Sequence, residues 1–149
     1  IMMTTLGSIT VAEHIIRCAA GIRFDIIGGP SNGADSIVGA VLALYGDTEK
    51  KLAVDYCIHG FTIRKEPKGR GPGAGDMFEG YIKSGLRAVV IEDVTTSGGS
   101  VLKAIKEVEK LGAKVVKVIS LLDRQAGADK LLKDYDFVSL VKLNELELQ

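Results

Sequence analysis

Cysteine is nearly absent from this chain of 149 residues, which holds two, Cys18 and Cys57. They stand far apart in apolar surroundings, with neither metal-ligand nor redox spacing, and read most simply as buried free thiols of a reducing compartment. Net charge is absent as well: 19 Lys and Arg balance 19 Asp and Glu. That argues against a bulk nucleic-acid binder and leaves room for local basic patches. No apolar run approaches the length of a membrane span, and no signal peptide is visible, so a cytoplasmic protein without a membrane partner is expected. Histidine is scarce. His14 falls in a helical pattern and reads as a surface residue, and His59 follows a strand pattern and reads as structural. No internal repeat, low-complexity tract or linker divides the chain. Its first residues, Ile1, Met2 and Met3, read as an interior start, or an end whose preceding residues are absent. Apolar residues, in contrast, are plentiful. They make up 46% of the chain, with a mean hydropathy of +0.21, enough for one domain over residues 1–149 with a real core.

The most informative stretch is residues 88–100, Ala-Val-Val-Ile-Glu-Asp-Val-Thr-Thr-Ser-Gly-Gly-Ser. Four apolar residues run into the acidic pair Glu92 and Asp93. A small, hydroxyl-rich loop follows, and then a helical pattern with Val101, Leu102, Ile105, Val108 and Leu111 on one face. This describes a buried parallel strand, a phosphate-sized loop and a helix start, where backbone N–H groups and the helix dipole converge on an anion. The carboxylates sit at the carboxyl end of the strand, where open α/β sheets place their ligands. They can accept from neighbouring sugar hydroxyls or hold a hydrated Mg²⁺, while Thr95, Thr96, Ser97 and Ser100 can donate to phosphate oxygens. The plain alternative is a strand and turn with no ligand.

The rest of the chain repeats this alternation. Residues 4–21 carry a helical pattern, with Ser8 or Thr10 able to cap it and Gly21 ending it. A strand over residues 24–27 enters Gly28, Gly29, Pro30, Ser31, Asn32 and Gly33. An apolar helix follows over residues 34–45. That loop can offer bare N–H groups to an anion, though taken alone a plain turn is the better reading. A strand is expected over residues 51–58, from Leu52, Val54, Tyr56 and Ile58. Residues 64–80 change character: glycine and proline are dense, and Arg64, Lys65, Lys68 and Arg70 crowd the first half. Such a segment makes no core and reads as a mobile loop. Residues 114–122 form a near-continuous apolar strand, as a central parallel strand should be, and end in Asp123, Arg124 and Gln125. A short helix over residues 126–133 and a strand over 137–143 complete the chain.

The run from the apolar strand through two acids to Thr-Thr-Ser-Gly-Gly-Ser resembles the signature of the type I phosphoribosyltransferases, which bind 5-phosphoribosyl 1-diphosphate (PRPP). The resemblance implies an α/β fold with a mainly parallel five-stranded sheet, helices on both faces and a flexible hairpin flap. It implies that Glu92 and Asp93 hold the ribose hydroxyls, while Thr95, Thr96, Ser97, Gly98, Gly99 and Ser100 hold the 5′-phosphate, with Val94 also among the PRPP-binding residues. Gly29, Pro30 and Gly33 match the family's Gly-Pro-x-x-Gly, which makes Pro30, Ser31, Asn32 and Gly33 the diphosphate loop. Within the family the chain is similar to the orotate phosphoribosyltransferases, whose basic loop runs Arg-Lys-x-x-Lys-x-His-Gly and is followed by Glu-Gly. Arg64, Lys65, Lys68, Gly71, Glu79 and Gly80 match. Arg70 stands where the family has histidine; it keeps charge and donors but does not readily give up a proton.

This narrower resemblance implies a lid in which Arg64, Lys65, Lys68 and Arg70 close on diphosphate. Lys68 and Asp93 become the expected catalytic residues, and Thr96 and Arg124, the latter in Leu-Asp-Arg-Gln, the orotate-binding residues. It further implies Mg²⁺ held mainly by PRPP and water, a homodimer that shares the lid between subunits, no nucleic-acid partner, and an N-terminal hood missing from this chain. Two alternatives stay open: a phosphoribosyltransferase for another nucleobase, and a PRPP-sensing regulatory domain without catalysis.

Overall fold

The computed structural model describes residues 4–52, 57–70 and 75–146. Among these residues eleven elements follow one another: α1 (Thr5–Cys18), β1 (Ile26–Pro30), α2 (Asp35–Leu52), β2 (His59–Ile63), β3 (Phe78–Gly80), β4 (Arg87–Thr95), α3 (Gly99–Lys110), β5 (Lys114–Asp123), α4 (Ala128–Leu131), β6 (Phe137–Lys142) and α5 (Leu143–Leu146). The strands form one sheet in the order β3-β2-β1-β4-β5-β6. All neighbours are parallel except β2 and β3.

Sheet position follows from sequence character. β1 is buried at all five positions, and β4 is buried from Ala88 through Glu92. Strands covered on both faces must be apolar throughout, and their side chains alternate between two cores. Ile26, Ala88, Val90 and Val118 join α3, whose Val101, Ala104, Ile105 and Val108 form a buried stripe at helical spacing. Ile27, Val89, Ile91 and Ile119 join Ala12 and Ile15 of α1 and Ile37, Val38 and Val41 of α2 on the other face. The expected helices on both faces are therefore present.

Among the described residues the sheet has six strands where five were expected. The sixth, β3, is a three-residue antiparallel strand in which Phe78, Glu79 and Gly80 pair with Ile63, Thr62 and Phe61. It was hidden because glycine-dense flanks mask so short a strand, and it forms the returning arm of the expected flap. The strand expected over residues 51–58 starts later, at His59, because α2 runs on to Leu52. Its last residues are charged helix formers, so propensity carries the helix past Gly46. Val54 and Tyr56 lie outside the described residues, as does Gly71 of the basic loop. Thr4, rather than Ser8 or Thr10, caps α1: its hydroxyl accepts from Gly7 N–H at 3.1 Å. Cys18 is half-buried and Cys57 exposed, so the expectation of two buried thiols fails. His14 is a surface residue bonded to the Thr10 carbonyl. His59 opens β2 and lies 4.5 Å, centroid to centroid, from the Tyr81 ring. No described helix is long and apolar enough to cross a membrane.

The functional consequence lies in the strand order. From β1 the chain moves to one side to make β2, then returns to the other side to make β4. Loops leaving β1 and β4 therefore diverge at their carboxyl ends and open a crevice between them, the position where such sheets bind ligands.

Candidate active site

Two loops line that crevice. After β1 comes the turn Ser31, Asn32 and Gly33, leading into α2. After β4 comes the Thr96 to Gly98 loop, leading into α3. The β1 turn, the end of β4, the start of α3 and Lys65 enclose a cleft of about 340 Å³ lined by Pro30, Ser31, Asn32, Gly33, Lys65, Glu92, Asp93 and Ser100; Thr96, Ser97 and Gly98 of the β4 loop lie outside this lining. Residues from four separate stretches of the sequence thus meet at one place.

The acid pair lies at the centre. Glu92 is 6% exposed, and its Oε2 is buried without a hydrogen-bond partner. Burial pushes its carboxyl up to about 7 from 4.5; hydrogen bonding and charge from Asp93 add to the rise, and hydrogen bonds from Ser100 and the Asp93 backbone oppose it. Asp93 is held by the backbone of the next residue, since Val94 N–H donates to Oδ1 at 2.7 Å. Gly33 packs directly against this carboxylate. A Cβ there would stand 2.5 Å from Asp93 Oδ1 and 2.7 Å from the carboxyl carbon, so any larger residue would require the Asp93 carboxylate or the turn to shift.

The N-terminus of α3 is left open. Gly98 occupies the cap position at φ 84 and ψ 0 and supplies no side-chain cap bond. The first N–H groups of a helix have no intrahelical partner; here they stand beside the exposed residues Thr96, Ser97 and Ser100, the last of which also hydrogen-bonds Glu92. Thr95 departs from expectation. It is 2% exposed, and its Oγ1 donates inward to Ser120 Oγ at 2.7 Å. Ser120 in turn donates to the Leu122 carbonyl at 2.9 Å. The Thr95 hydroxyl proton is thereby committed to β5 and is not offered to a phosphate. The β1 loop is also less bare than expected. Ser31 N–H donates to the Ile63 carbonyl at 2.7 Å, and Asn32 N–H to Asp35 Oδ2 at 2.9 Å.

The basic segment forms the foot of a hairpin beside the cleft. Arg64 N–H donates to the Met77 carbonyl, Lys68 N–H to the Asp76 carbonyl, and Gly75 N–H to the Lys68 carbonyl. Lys65 reaches the acid-pair cleft, and Lys65 and Lys68 both line a neighbouring one of about 690 Å³ with Ser31 and Asn32. Arg64 is tied to Glu79 of β3 by an ion pair. Arg70 is exposed and lines neither cleft. Arg124 N–H donates to the Thr95 carbonyl at 2.8 Å. This fixes the start of the β5 loop against the β4 loop, with the Arg124 side chain exposed. Sequence reasoning missed Ser120 and Asp35, and it did not pair Glu79 with Arg64. A lone serine inside the apolar run of β5 was a readable signal, because a buried hydroxyl requires a partner.

Among the described residues no three His, Cys, Asp or Glu side chains cluster as a metal cage. Glu92 Oε2, buried without a partner, and the adjacent Asp93 carboxylate are oxygen donors of the kind that suit a hydrated divalent cation.

Residues 63–147 match the sequence profile of the Phosphoribosyl transferase domain. An orotate phosphoribosyltransferase of Rhodopseudomonas palustris (strain BisB5) is 34% identical over 150 residues, covering 97% of this chain and 76% of its own length. This chain belongs to the orotate phosphoribosyltransferase family. A second family member, from Thermococcus kodakarensis, is 41% identical over 127 residues, 85% of this chain and 62% of that protein. With the next relatives at 61% and 52%, the chain spans about three fifths of the length of the first curated relatives it matches. Among solved structures, Mycobacterium tuberculosis orotate phosphoribosyltransferase in complex with PRPP superposes with a TM-score of 0.77 at 25% identity, over 98% of this chain and 79% of that one. The phosphoribosyltransferase motifs at residues 29–33 and 92–100 and the Leu-Asp-Arg-Gln run at 122–125 all lie at the carboxyl edge of this sheet.

Proposed function

We propose that this chain carries the catalytic machinery of an orotate phosphoribosyltransferase, which joins orotate to the 5-phosphoribosyl group of PRPP and releases orotidine 5′-phosphate and diphosphate on the way to UMP. The observation that carries this reading is the meeting of the acid pair, the Gly33 turn and the open α3 N-terminus in one cleft.

In this reading the 5′-phosphate sits on the first N–H groups of α3, with Thr96, Ser97 and Ser100 donating. Glu92 and Asp93 hold the ribose hydroxyls and lie near the positive charge that develops at C1. The N1 anion of orotate attacks C1; the N1–C1 bond forms as the C1–O bond breaks, and the electron pair leaves with diphosphate. Alignment and charge placement are the protein's task in such a step. Lys65 and Lys68 face the departing diphosphate, and Lys68 hydrogen-bonds or protonates it. Arg70, a permanent cation where relatives carry histidine, contributes charge and not a proton. Arg124 suits the planar acid of orotate, which a guanidinium can grip with two hydrogen bonds. Mg²⁺, held mainly by diphosphate and water with the acid pair outside it, would neutralise charge on the leaving group. The active unit is a homodimer in which the hairpin of one subunit closes over the site of the other.

Diphosphate release from PRPP tests this directly, with orotate, uracil, hypoxanthine, guanine, xanthine and adenine offered in turn. Release with orotate alone is expected. Release with another base would keep the chemistry and overturn the pocket, and PRPP binding without release to any base would indicate a sensor. Arg124→Ala should then lose orotate binding while keeping PRPP binding; equal loss of both would remove Arg124 from the base pocket.

A further inference from the structure

Asp35 belongs to neither the acid pair nor the lid, yet both its carboxylate oxygens are bonded. Thr62 Oγ1 on β2 donates to Oδ1 at 2.9 Å, and Asn32 N–H donates to Oδ2 at 2.9 Å. One side chain in the first turn of α2 therefore ties the turn after β1 to the neighbouring strand. The turn has reason to be tied. Asn32 stands at φ 75, a left-handed conformation that a residue with a side chain holds only where its surroundings fix it. The next residue is Gly33, whose missing Cβ lets this turn rest on Asp93. A movement of the turn by a fraction of an ångström would open or close that approach. A carboxylate is also the wrong sign for direct contact with an anion, and Asp35 shares its cleft with Lys65 and Lys68.

We propose that Asp35 is a positioning residue: it clamps the turn of residues 30–33 between β2 and α2, and so sets where Gly33 meets Asp93 and where diphosphate is received. The inference rests on reading that turn as the diphosphate site. Asp35 acts through Asn32 and Gly33 and touches no substrate.

The test compares Asp35→Ala, Asp35→Asn and Thr62→Val for PRPP Kd, PRPP KM, orotate KM and kcat, with melting temperature as the check on folding. Asparagine keeps a carbonyl acceptor for Asn32 N–H, and its amide can donate to the Thr62 hydroxyl. The clamp predicts PRPP Kd and KM raised about tenfold in Asp35→Ala with orotate KM unchanged, and a return to within about threefold of wild type in Asp35→Asn. Thr62→Val keeps the Asn32 bond and loses the β2 anchor. It should raise PRPP Kd about threefold, and it carries the test if Asp35→Ala does not fold. Unchanged PRPP binding in the folded variants overturns the clamp and leaves the proposed function standing. So does tighter PRPP binding in both Asp35 variants, the outcome if the carboxylate merely repels the ligand. Wild-type protein that binds PRPP but transfers to no base overturns the proposed function, while the Kd series still decides the clamp.

Discussion

At the residue scale, Glu92 sits in an environment that opposes its charge. The folded chain holds its proton up to about pH 7, whereas the unfolded chain releases it near 4.5. Folded protein thus binds more protons between those values, and this group's contribution to stability is present below pH 4.5 and lost as pH rises through 7. Melting temperature should be higher at pH 5 than at pH 8, and Glu92→Gln, neutral at both, should reduce the difference. A variant with the wild-type pH slope would remove Glu92 as its source. Lys68 presents the opposite case, a side chain whose value lies in the transition state. Its backbone is fixed by the hairpin bonds to Asp76 and Gly75, so truncation should leave the fold intact. Lys68→Ala is expected to lower kcat by ~10²–10³, the usual cost of losing a donor to developing negative charge. Unchanged turnover would sink the lid assignment.

At the element scale, the site depends on how two strand-to-helix turns approach each other. Gly33→Ala places a methyl group 2.5 Å from Asp93 Oδ1, so the carboxylate, held by the Val94 N–H, or the turn must shift to admit it. The turns should separate and PRPP KM should rise about tenfold, with melting temperature little changed because the turn lies outside both cores. A variant with wild-type PRPP KM would show that the approach is not needed. Gly98 has a different reason to be glycine. It holds φ 84, which carries the chain from the β4 loop into α3 while leaving the helix N-terminus without a side-chain cap. Motif order made these turns legible in the sequence. Their mutual contact was not, because residues 33 and 93 are brought together only by the β1–β4 pairing.

At the scale of the whole molecule, strand order creates the crevice and the hairpin stands at its rim. If the hairpin of one subunit serves the site of the other, two inactive variants should rescue each other. Co-expressed Lys68→Ala and Asp93→Asn chains should form mixed dimers with one intact site each. Statistical mixing of a two-fold dimer gives up to about a quarter of wild-type activity. No recovered activity from dimers shown to be mixed would rule out the shared lid.

The sequence by itself determined the alternation of strands and helices, the apolar strands of the sheet centre, and the acid pair with its following loop. Each of these is a local pattern: hydrophobic period, turn residues and motif order act over a few neighbouring positions. The tertiary structure decided what depends on distant residues. It turned the Thr95 hydroxyl inward to Ser120, added β3 as a sixth strand, bound Asp35 to Thr62 across 27 residues, and left Cys57 exposed. Such outcomes follow from which strands become neighbours and which polar groups find partners when water is excluded. Neither is written in any short stretch of the chain.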